Sequence, residues 1–423
     1  MSDTQAADMK EKSGAESAAE RSKRIWDAAA LKQPDRIPIS MTAGYLLAEY
    51  GGVSHQELQD DRARAQEILE RFACEFEPDS ITGVLTPGAS PILGDRMTAW
   101  PGHGLPESGS FQFVEHEFMK EEDYDAFLRD PSDWAIRTYL PRAFAELEGL
   151  QSLPPLGMWV FGFYNLESLP FYAAPPVQSA AMAFARAVQV ALEEGELAAE
   201  SVRRMAALGF PPPFFIGPHA AAPFDFMSDT LRGMRGIMLD MLRQPDNLLA
   251  AEERVIDIML EHLLVSTRAT GAKVAGFPLH RGSDGFMSLA QFERFYWPQL
   301  KHMFLALIDN DITPFAFFEG AWDQRLEYLR ELPAGKVMGW FQKSDIFKVK
   351  EVVGDTMCII GGMPNSLLAG GSVSEVREHT QRLCEVVGKN GGYIMSTGVG
   401  ELEGSKLELV RAWVDATREF GIY

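Results

Sequence analysis

The side chains that could do acid–base or metal chemistry in this chain follow short apolar runs. Glu319 ends the run FAFF and is followed by a glycine. A carboxylate among aromatic residues needs a raised pKa or a balancing cation, which are properties of a general acid or a metal ligand. The alternative is a structural carboxylate paired with Arg281 or Arg325.

A histidine and an aspartate share the segment GFPLHRGSDGF. His280 and Asp284 have the types of a catalytic base with its orienting acid, and both could also ligate a metal. The alternative is a loop histidine that bonds its own backbone. The sequence leaves these readings open.

A further group of residues is predicted to contact a substrate. His219, Asp225 and Asp229 lie in GPHAAAPFDFMSD, and Phe317 and Trp340 lie in two aromatic runs. A histidine after proline at the end of a strand can equally mark a turn. Other polar residues at predicted strand ends are Gln342, Asp345 and Glu401.

Eight short β-branched or aromatic runs alternate with amphipathic helical segments. Alternation of strand and helix predicts a parallel sheet with right-handed crossovers, and eight units favour a closed (β/α)8 TIM barrel. In such a barrel, catalytic groups come from the C-terminal strand ends, where the candidates lie. The predicted strands are 36–40, 79–84, 214–217, 273–277, 314–318, 337–340, 357–361 and 392–396.

The chain is predicted to have one domain, at 24–423, after a polar, flexible or loosely helical tail at 1–23. An insertion at 85–210 separates the second and third predicted strands. Within it, GSFQFVEHEFM alternates like a β-hairpin, and the aromatic segment MWVFGFYNLESLPFYAAPP could pack in the core or cover the barrel mouth. A later helix is predicted to begin at Ser288 and to kink at Pro298.

Composition excludes several classes of partner. The formal net charge is −21, with 39 basic and 60 acidic residues, which disfavours binding to nucleic acids and anionic membranes. Three scattered cysteines and no CxxC argue against a disulfide framework or a zinc knuckle. No secretory signal or membrane span is evident, so the expected location is the cytoplasm.

Four segments resemble the uroporphyrinogen decarboxylase superfamily. They are APFDFMSDTLRG, MSLAQFERFYWPQLK, GDTMCIIGGMPNSLL and GGYIMSTGVGE. The resemblance extends from about residue 36 to residue 423 and is specific only when the four segments are taken together. It implies a (β/α)8 barrel with its site at the strand C-termini.

The chain departs from the true decarboxylases at four positions. MTAGYL stands where they have an arginine-rich stretch that holds the substrate carboxylates. Their catalytic aspartate aligns near Thr86 of this chain, and their tyrosine aligns near Asp229. Their histidine aligns with Val399. The resemblance therefore argues against uroporphyrinogen as substrate, because its carboxylates would lie unpaired.

The corrinoid-dependent methyltransferases of the superfamily match better. Their zinc-thiol members have HxCG and GCG where this chain has FFEG and GVG, so Phe317, Glu319 and Val399 replace a histidine and two cysteines. A divalent metal such as zinc would lack thiolate ligands here. Glu319 stands where a metal-ligating cysteine of those members would stand. The resemblance therefore permits either an oxygen and nitrogen metal site of Glu319 with His280 or His219, or a metal-free acid that protonates a leaving oxygen.

The leading hypothesis is O-demethylation of a small methoxylated aromatic compound. The methyl group would pass to a corrinoid on a partner protein, since the sequence contains no cobalamin-binding motif DxHxxG. The alternative is a decarboxylase or other lyase that uses Glu319, His280 and Asp284 on a small organic acid. A non-catalytic barrel is the third hypothesis, and a homodimer remains open.

Overall fold

The strands of the chain follow one another in sequence order around a parallel sheet. A computed structural model describes residues 12–157, 165–398 and 402–423. β6 to β10 form one five-stranded parallel sheet in that order, and β1 pairs with β2. The strands are β1 (Ser40–Thr42), β2 (Ser80–Thr82), β3 (Thr98–Pro101), β4 (Gly104–Leu105), β5 (Gln112–Phe113), β6 (Val274–Leu279), β7 (Thr313–Phe318), β8 (Met338–Phe341), β9 (Cys358–Met363) and β10 (Tyr393–Thr397).

Two isolated bridges extend this sheet. Ile39 pairs in parallel with Met395, which places β1 and β2 beside β10. His219 pairs in parallel with Gly276 of β6 at the other edge. The predicted α/β fold of the TIM-barrel type is therefore confirmed, with seven strands and one bridged residue in the predicted order.

The third predicted strand, at 214–217, is wrong as a strand. Pro211, Pro212, Pro213 and Pro218 supply no backbone N–H donors to a ladder. Pairing with β6 occurs instead around His219, where the Gly276 N–H donates to the Pro218 carbonyl and the Ala220 N–H to the Gly276 carbonyl, each at 2.9 Å.

Helices surround the sheet. They are α1 (Gly14–Ala29), α2 (Leu46–Gly51), α3 (His55–Asp60), α4 (Arg62–Phe76), α5 (Ser90–Leu93), α6 (Tyr124–Arg129), α7 (Pro131–Trp134), α8 (Leu140–Ala143), α9 (Asn165–Tyr172), α10 (Pro175–Ala207), α11 (Pro223–Asp225), α12 (Gly233–Arg243), α13 (Pro245–Thr270), α14 (Leu289–Gln291), α15 (Trp297–Ile308), α16 (Leu326–Leu329), α17 (Ile346–Val353), α18 (Asn365–Gly370), α19 (Val373–Arg382) and α20 (Leu407–Phe420). π-Helical turns occur at Ala135–Tyr139, Phe226–Arg232, Phe292–Tyr296 and Leu383–Val387, and 3₁₀ turns at Glu121–Asp123 and Ala145–Ser152. No helix in the described ranges is long and apolar enough to cross a bilayer.

The apolar core has two parts. The larger part lies between the strands and the helices, and the smaller part fills the space that the strands enclose. Ile25, Ala28 and Ala29 of α1 belong to the inner part, with Met338 and Ile394 of the strands. α1 thus covers the N-terminal end of the sheet interior. Residues 14–23, placed in the tail by the sequence, form the first part of this helix.

The insertion does not contain the predicted hairpin. Of GSFQFVEHEFM, residues Gln112–Phe113 form β5, which pairs antiparallel with β3. The alternating pattern is therefore satisfied by pairing with β3, which precedes this segment in the same insertion, and not by a turn inside it. Part of the aromatic segment, at 158–164, lies outside the described residues, and its remainder includes α9.

The helix after β6 begins as predicted and changes geometry near its proline. The Ser288 side chain accepts a hydrogen bond from the Gln291 N–H in a capping box. Pro298 stands in the first turn of α15, directly after the π-helical turn Phe292–Tyr296. The missing proline N–H is thus accommodated by a change of hydrogen-bond pattern.

Candidate active site

The register of β6 and β7 places His280 beside Glu319. Leu279 pairs with Phe318, so the next residue on each strand lies at the same C-terminal edge. The Glu319 N–H donates to the Leu279 carbonyl at 3.0 Å. The His280 Nε2 atom lies 3.2 Å from Glu319 Oε1, and their side chains are 29% and 38% exposed. The two groups are in contact and accessible from solvent.

Asp229 completes a row of three titratable groups. It lies in the π-helical turn Phe226–Arg232 and contacts His280 Nδ1 through Oδ2 at 2.5 Å. Its other oxygen accepts a hydrogen bond from Arg281 Nε at 2.8 Å. The imidazole is therefore held between two carboxylates.

Asp225 lies behind this row and cannot contact a substrate directly in the observed structure. Its side chain is fully buried. It accepts hydrogen bonds from the His280 and Arg281 N–H groups, both at 2.9 Å, and from the Tyr296 hydroxyl at 2.6 Å. Through these bonds Asp225 fixes the backbone that carries His280, while its role in substrate binding stays a prediction.

The electrostatics favour a protonated His280. Burial by itself lowers the pKa of the imidazole, but the hydrogen bonds to Asp229 and Glu319 and the charge of Asp225 raise this pKa to about 10. Burial and the charge of Asp229 raise the pKa of Asp225 to about 6. Burial opposes ionisation of Asp229, yet the contacts with His280 and Arg281 lower its pKa. These contacts favour the imidazolium form of His280 at neutral pH.

This imidazolium predicts a pH-dependent stability. The pKa of His280 is higher in the folded chain than its ordinary value of 6.5, so its contribution is complete below pH 6.5 and is lost as pH rises through about 10. We expect the stability difference between the wild type and His280→Gln to shrink over this window by more than about 1 kcal/mol. Urea unfolding of both proteins from pH 6.5 to 10.5 measures it. A constant difference would contradict the imidazolium.

The expected pairing of His280 with Asp284 does not occur. Asp284 accepts hydrogen bonds from Arg325 Nη1 at 2.7 Å and from the Gln324 N–H. The Arg325 side chain is almost fully buried. Asp284 thus compensates a buried charge, and Asp229 takes the orienting position. Likewise, Glu319 has His280 as its ion-pair partner, whereas Arg281 pairs with Asp229.

His219 lies against β6, the strand that is followed by His280. A Cβ atom added to Gly276 would lie 2.4 Å from the His219 ring, so the ring occupies space that only glycine leaves free. Partial burial lowers the pKa of His219 and favours the neutral ring. Among the described contacts, His219 forms no hydrogen bond with His280 or Glu319.

Aromatic rings lie beneath the charged row. Phe315 and Phe317 precede Glu319 at two-residue steps and therefore share its face of β7. The Phe317 ring lies 4.9 Å from the Trp340 ring, and Phe317 remains partly exposed. The Trp340 indole N–H donates to the Thr397 carbonyl at 2.7 Å, across β9. These rings form an apolar floor, of which Phe317 is the more accessible.

The described residues do not fit a zinc site. No group of three or more His, Cys, Asp or Glu in these ranges is arranged to hold a metal ion. His280 and Glu319 would supply two ligands, and the second nitrogen of His280 already contacts Asp229.

The other residues predicted at strand ends have separate positions. Gln342 accepts a hydrogen bond from the Gly320 N–H, and Asp345 caps α17. Glu401 and Val399 lie outside the described residues.

Two partners of the site were not singled out from the sequence. Tyr296 reaches Asp225 from the π-helical turn before α15, and Ser228 accepts a hydrogen bond from Arg281 Nε at 3.1 Å. Tyr296 is assigned to the apolar face of its helix by its spacing. Its hydroxyl partner depends on a contact between residues 71 positions apart.

Comparison with known proteins agrees with this architecture. The family model for uroporphyrinogen decarboxylase (URO-D) matches residues 161–420, so the chain belongs to this family. A solved methyltransferase from Methanosarcina mazei superposes with a TM-score of 0.59 at 14% sequence identity, covering 97% of this chain and 99% of that chain. At this identity the likeness concerns the fold. No curated protein sequence matches the chain.

Proposed function

We propose that the chain is a corrinoid-dependent methyltransferase that removes a methyl group from a small methoxylated aromatic compound. The observation that carries the proposal is the placement of the His280 imidazole between Asp229 and Glu319 at the strand C-termini. The family and the fold of the Methanosarcina mazei methyltransferase support methyltransferase chemistry. The aromatic substrate and the corrinoid are our inference.

The proton on His280 matches the leaving group. A phenol has a pKa of about 10, similar to that of His280 in this site. When the methyl–oxygen bond breaks, Nε2–H can donate its proton to the phenolate oxygen, which makes that oxygen a better leaving group. Asp229 keeps Nδ1–H in place, so the ring presents Nε2 to the substrate. Proton transfer from a matched acid avoids a free phenolate in the site.

Glu319 takes part through His280. Asp229 contacts the Nδ1 side of the ring, whereas Glu319 lies beside Nε2. From there Glu319 stabilises the positive ring before the substrate arrives. A substrate oxygen that enters between Nε2 and the carboxylate would accept the same hydrogen. Phe317 and Trp340 would contact the ring of the substrate from below.

In this proposal the acceptor of the methyl group is carried by another protein, because the sequence contains no DxHxxG motif. A reduced corrinoid on a partner protein would supply the nucleophile. The exposure of the His280 and Glu319 side chains fits this arrangement, because the reacting oxygen would be reachable from the open edge of the sheet. In this arrangement His280, held by Asp229 and Glu319, would bind and protonate only the ether oxygen of the substrate.

Methyl transfer can be measured directly. The protein is incubated under reducing, oxygen-free conditions with ¹³C-methoxy-labelled aromatic ethers and cobalamin, either free or on a co-purified corrinoid protein. We expect equal amounts of phenol and of ¹³C-methylated corrinoid. Release of CO₂ from a methoxylated aromatic acid without methylation of the corrinoid would contradict the proposal and favour the lyase.

The same site predicts no activity on uroporphyrinogen. MTAGYL replaces the arginine-rich stretch of the decarboxylases, and within it Met41 and Ala43 are buried apolar residues. We expect no coproporphyrinogen above background in an assay in which a true uroporphyrinogen decarboxylase serves as positive control. Coproporphyrinogen formed by the pure protein would show this prediction to be wrong.

A further inference from the structure

The π-helical turn that carries Asp229 ends in a buried arginine. Arg232 is the last residue of this turn, and its side chain is 3% exposed. Its Nη1 atom donates to Glu117 Oε1 and to the Met119 carbonyl, both at 2.6 Å. Both acceptors belong to the insertion at 85–210. The guanidinium therefore joins the active-site turn to a segment more than one hundred positions earlier in the chain.

The same guanidinium also pairs with α12. Its Nε atom donates to Asp240 Oδ2 at 2.5 Å, and its Nη2 atom donates to Oδ1 at 3.1 Å. The Tyr124 hydroxyl, from the insertion, donates to Asp240 Oδ2 at 2.8 Å. The donors of a guanidinium are fixed in one plane, so acceptors on two elements determine its position closely. Arg232 is thus held by the insertion and by α12 together.

Backbone contacts close the same junction. The Met119 N–H donates to the Leu231 carbonyl at 2.8 Å. Gly233, directly after the turn, has φ +67°, and a Cβ atom added there would lie 3.0 Å from the His116 carbonyl oxygen. The segment 115–119 therefore packs closely against the C-terminal end of the turn, at a position that favours glycine.

A π-helical turn depends on contacts of this kind. π-Helical geometry is rare and occurs mostly as single turns, frequently at functional sites. At the N-terminal side of this turn, Asp225 accepts hydrogen bonds from the His280 and Arg281 N–H groups. At its C-terminal end, Arg232 is bound to the insertion. Asp229 lies between these two anchors, so release of either anchor would let its carboxylate move.

We propose that Arg232 is a positioning residue, which holds Asp229 against Nδ1 of His280 by tying the π-helical turn to the insertion and to α12. The insertion then helps to build the active site instead of only covering the barrel. The catalytic meaning of this role rests on the methyl transfer proposed above. The contact between Asp229 and His280 does not, and it can be tested without turnover.

Titration of His280 in the full chain tests the proposal. The charged groups around its ring are Asp229, Glu319 and Asp225, with Arg281 beside Asp229. Arg232→Lys keeps the positive charge but loses the planar set of donors, so a change at His280 would report a displaced Asp229 and not a lost charge. In NMR spectra of ¹³C-histidine-labelled protein, assigned with His280→Gln, we expect the wild type to titrate near pH 10. Arg232→Lys should lower this midpoint by at least about 0.5 pH unit.

The matched control is Arg137→Lys. Arg137 is another arginine of the insertion that binds a carboxylate and a carbonyl, since it donates to Asp133 Oδ1 at 2.7 Å and to the Leu153 carbonyl at 3.4 Å. Its replacement makes the same chemical change away from Arg232. We expect the His280 midpoint of this variant to equal that of the wild type. Circular dichroism and thermal unfolding establish that each variant folds.

A milder variant, Glu117→Gln, weakens the link to the insertion and leaves Arg232 paired with Asp240. It should lower the His280 midpoint less than Arg232→Lys does, and it serves as the test if Arg232→Lys does not fold. Each change is repeated in an Asp229→Asn background. The direct effect of a lost charge would persist there, whereas a positioning effect would disappear because the positioned carboxylate is gone.

An unchanged His280 midpoint in a folded Arg232→Lys protein would overturn the proposal, as would an equal shift with and without Asp229. If Arg232→Lys does not fold, an unchanged midpoint in Glu117→Gln has the same meaning. Expected titrations in a protein that transfers no methyl group would contradict only the proposed function. Methyl transfer with titrations that ignore Arg232 would contradict only the positioning role.

Discussion

Replacing Glu319 with glutamine is expected to lower methyl transfer by at least about 10²-fold, the size of effect typical of a proton-transfer group. Glutamine keeps the shape of the side chain but removes the negative charge 3.2 Å from His280 Nε2. The pKa of the imidazole should then fall, and less of the protein would hold the proton at neutral pH. Stability should change little, because a partly exposed active-site carboxylate seldom adds much to folding.

The matched control for this variant is Glu327→Gln. Glu327 is an exposed carboxylate whose ion-pair partner is Arg330 of the same region, at 3.2 Å. Turnover with the corrinoid supplied and the melting temperature are measured on the same preparation. A Glu319→Gln protein with near-normal turnover, or one that does not fold, would reduce Glu319 to a structural partner of His280.

Replacing His280 with glutamine is expected to reduce turnover by about 10²- to 10⁴-fold. The variant loses the proton donor and leaves Asp229 and Glu319 without the positive charge between them. The wild-type rate should decline as pH rises through about 10, where the pKa of His280 lies. The residual rate of the variant should lack this decline.

His262→Gln serves as the control, since His262 is an exposed residue of α13. The most informative substrates are aryl methyl ethers whose phenols differ in acidity. Loss of His280 should matter less for a more acidic phenol, because such a leaving group needs less protonation. An equal loss for all substrates would contradict proton donation and leave His280 a positioning role.

Much of the fold follows from local patterns. The runs at 273–277, 314–318, 337–340, 357–361 and 392–396 all contain most of an observed strand, because buried parallel strands are short apolar runs bounded by turns. Ser288 caps its helix as predicted for a serine before an apolar periodic segment. The pattern is misleading at 214–217, where prolines prevent a ladder. It is also misleading for the hairpin predicted at 109–119, where β5 pairs with β3 from outside this segment.

The position of the candidate site is predictable from the sequence, whereas the contacts between its residues are less predictable. The rule that strand C-termini carry the chemistry brings His280, Glu319 and Asp229 onto one edge, and the structure places them in contact. Their catalytic and substrate-binding roles stay predictions. The sequence offers the near neighbour Asp284 as one candidate partner of His280, whereas the structure shows Asp229, which is 51 positions away.

The sequence by itself determined which residue types stand at the ends of the strands, because strand position and side-chain alternation are local properties of the chain. Tertiary structure alone decided which carboxylate faces which cation. Arg325 is buried and takes Asp284 as its counter-ion, so Asp284 is no longer available to His280. Asp225 is fully buried behind the backbone of His280 and Arg281, whereas Asp229, four residues later, reaches the imidazole. Burial makes an unpaired charge costly, and which charges are buried depends on contacts between segments far apart in the chain.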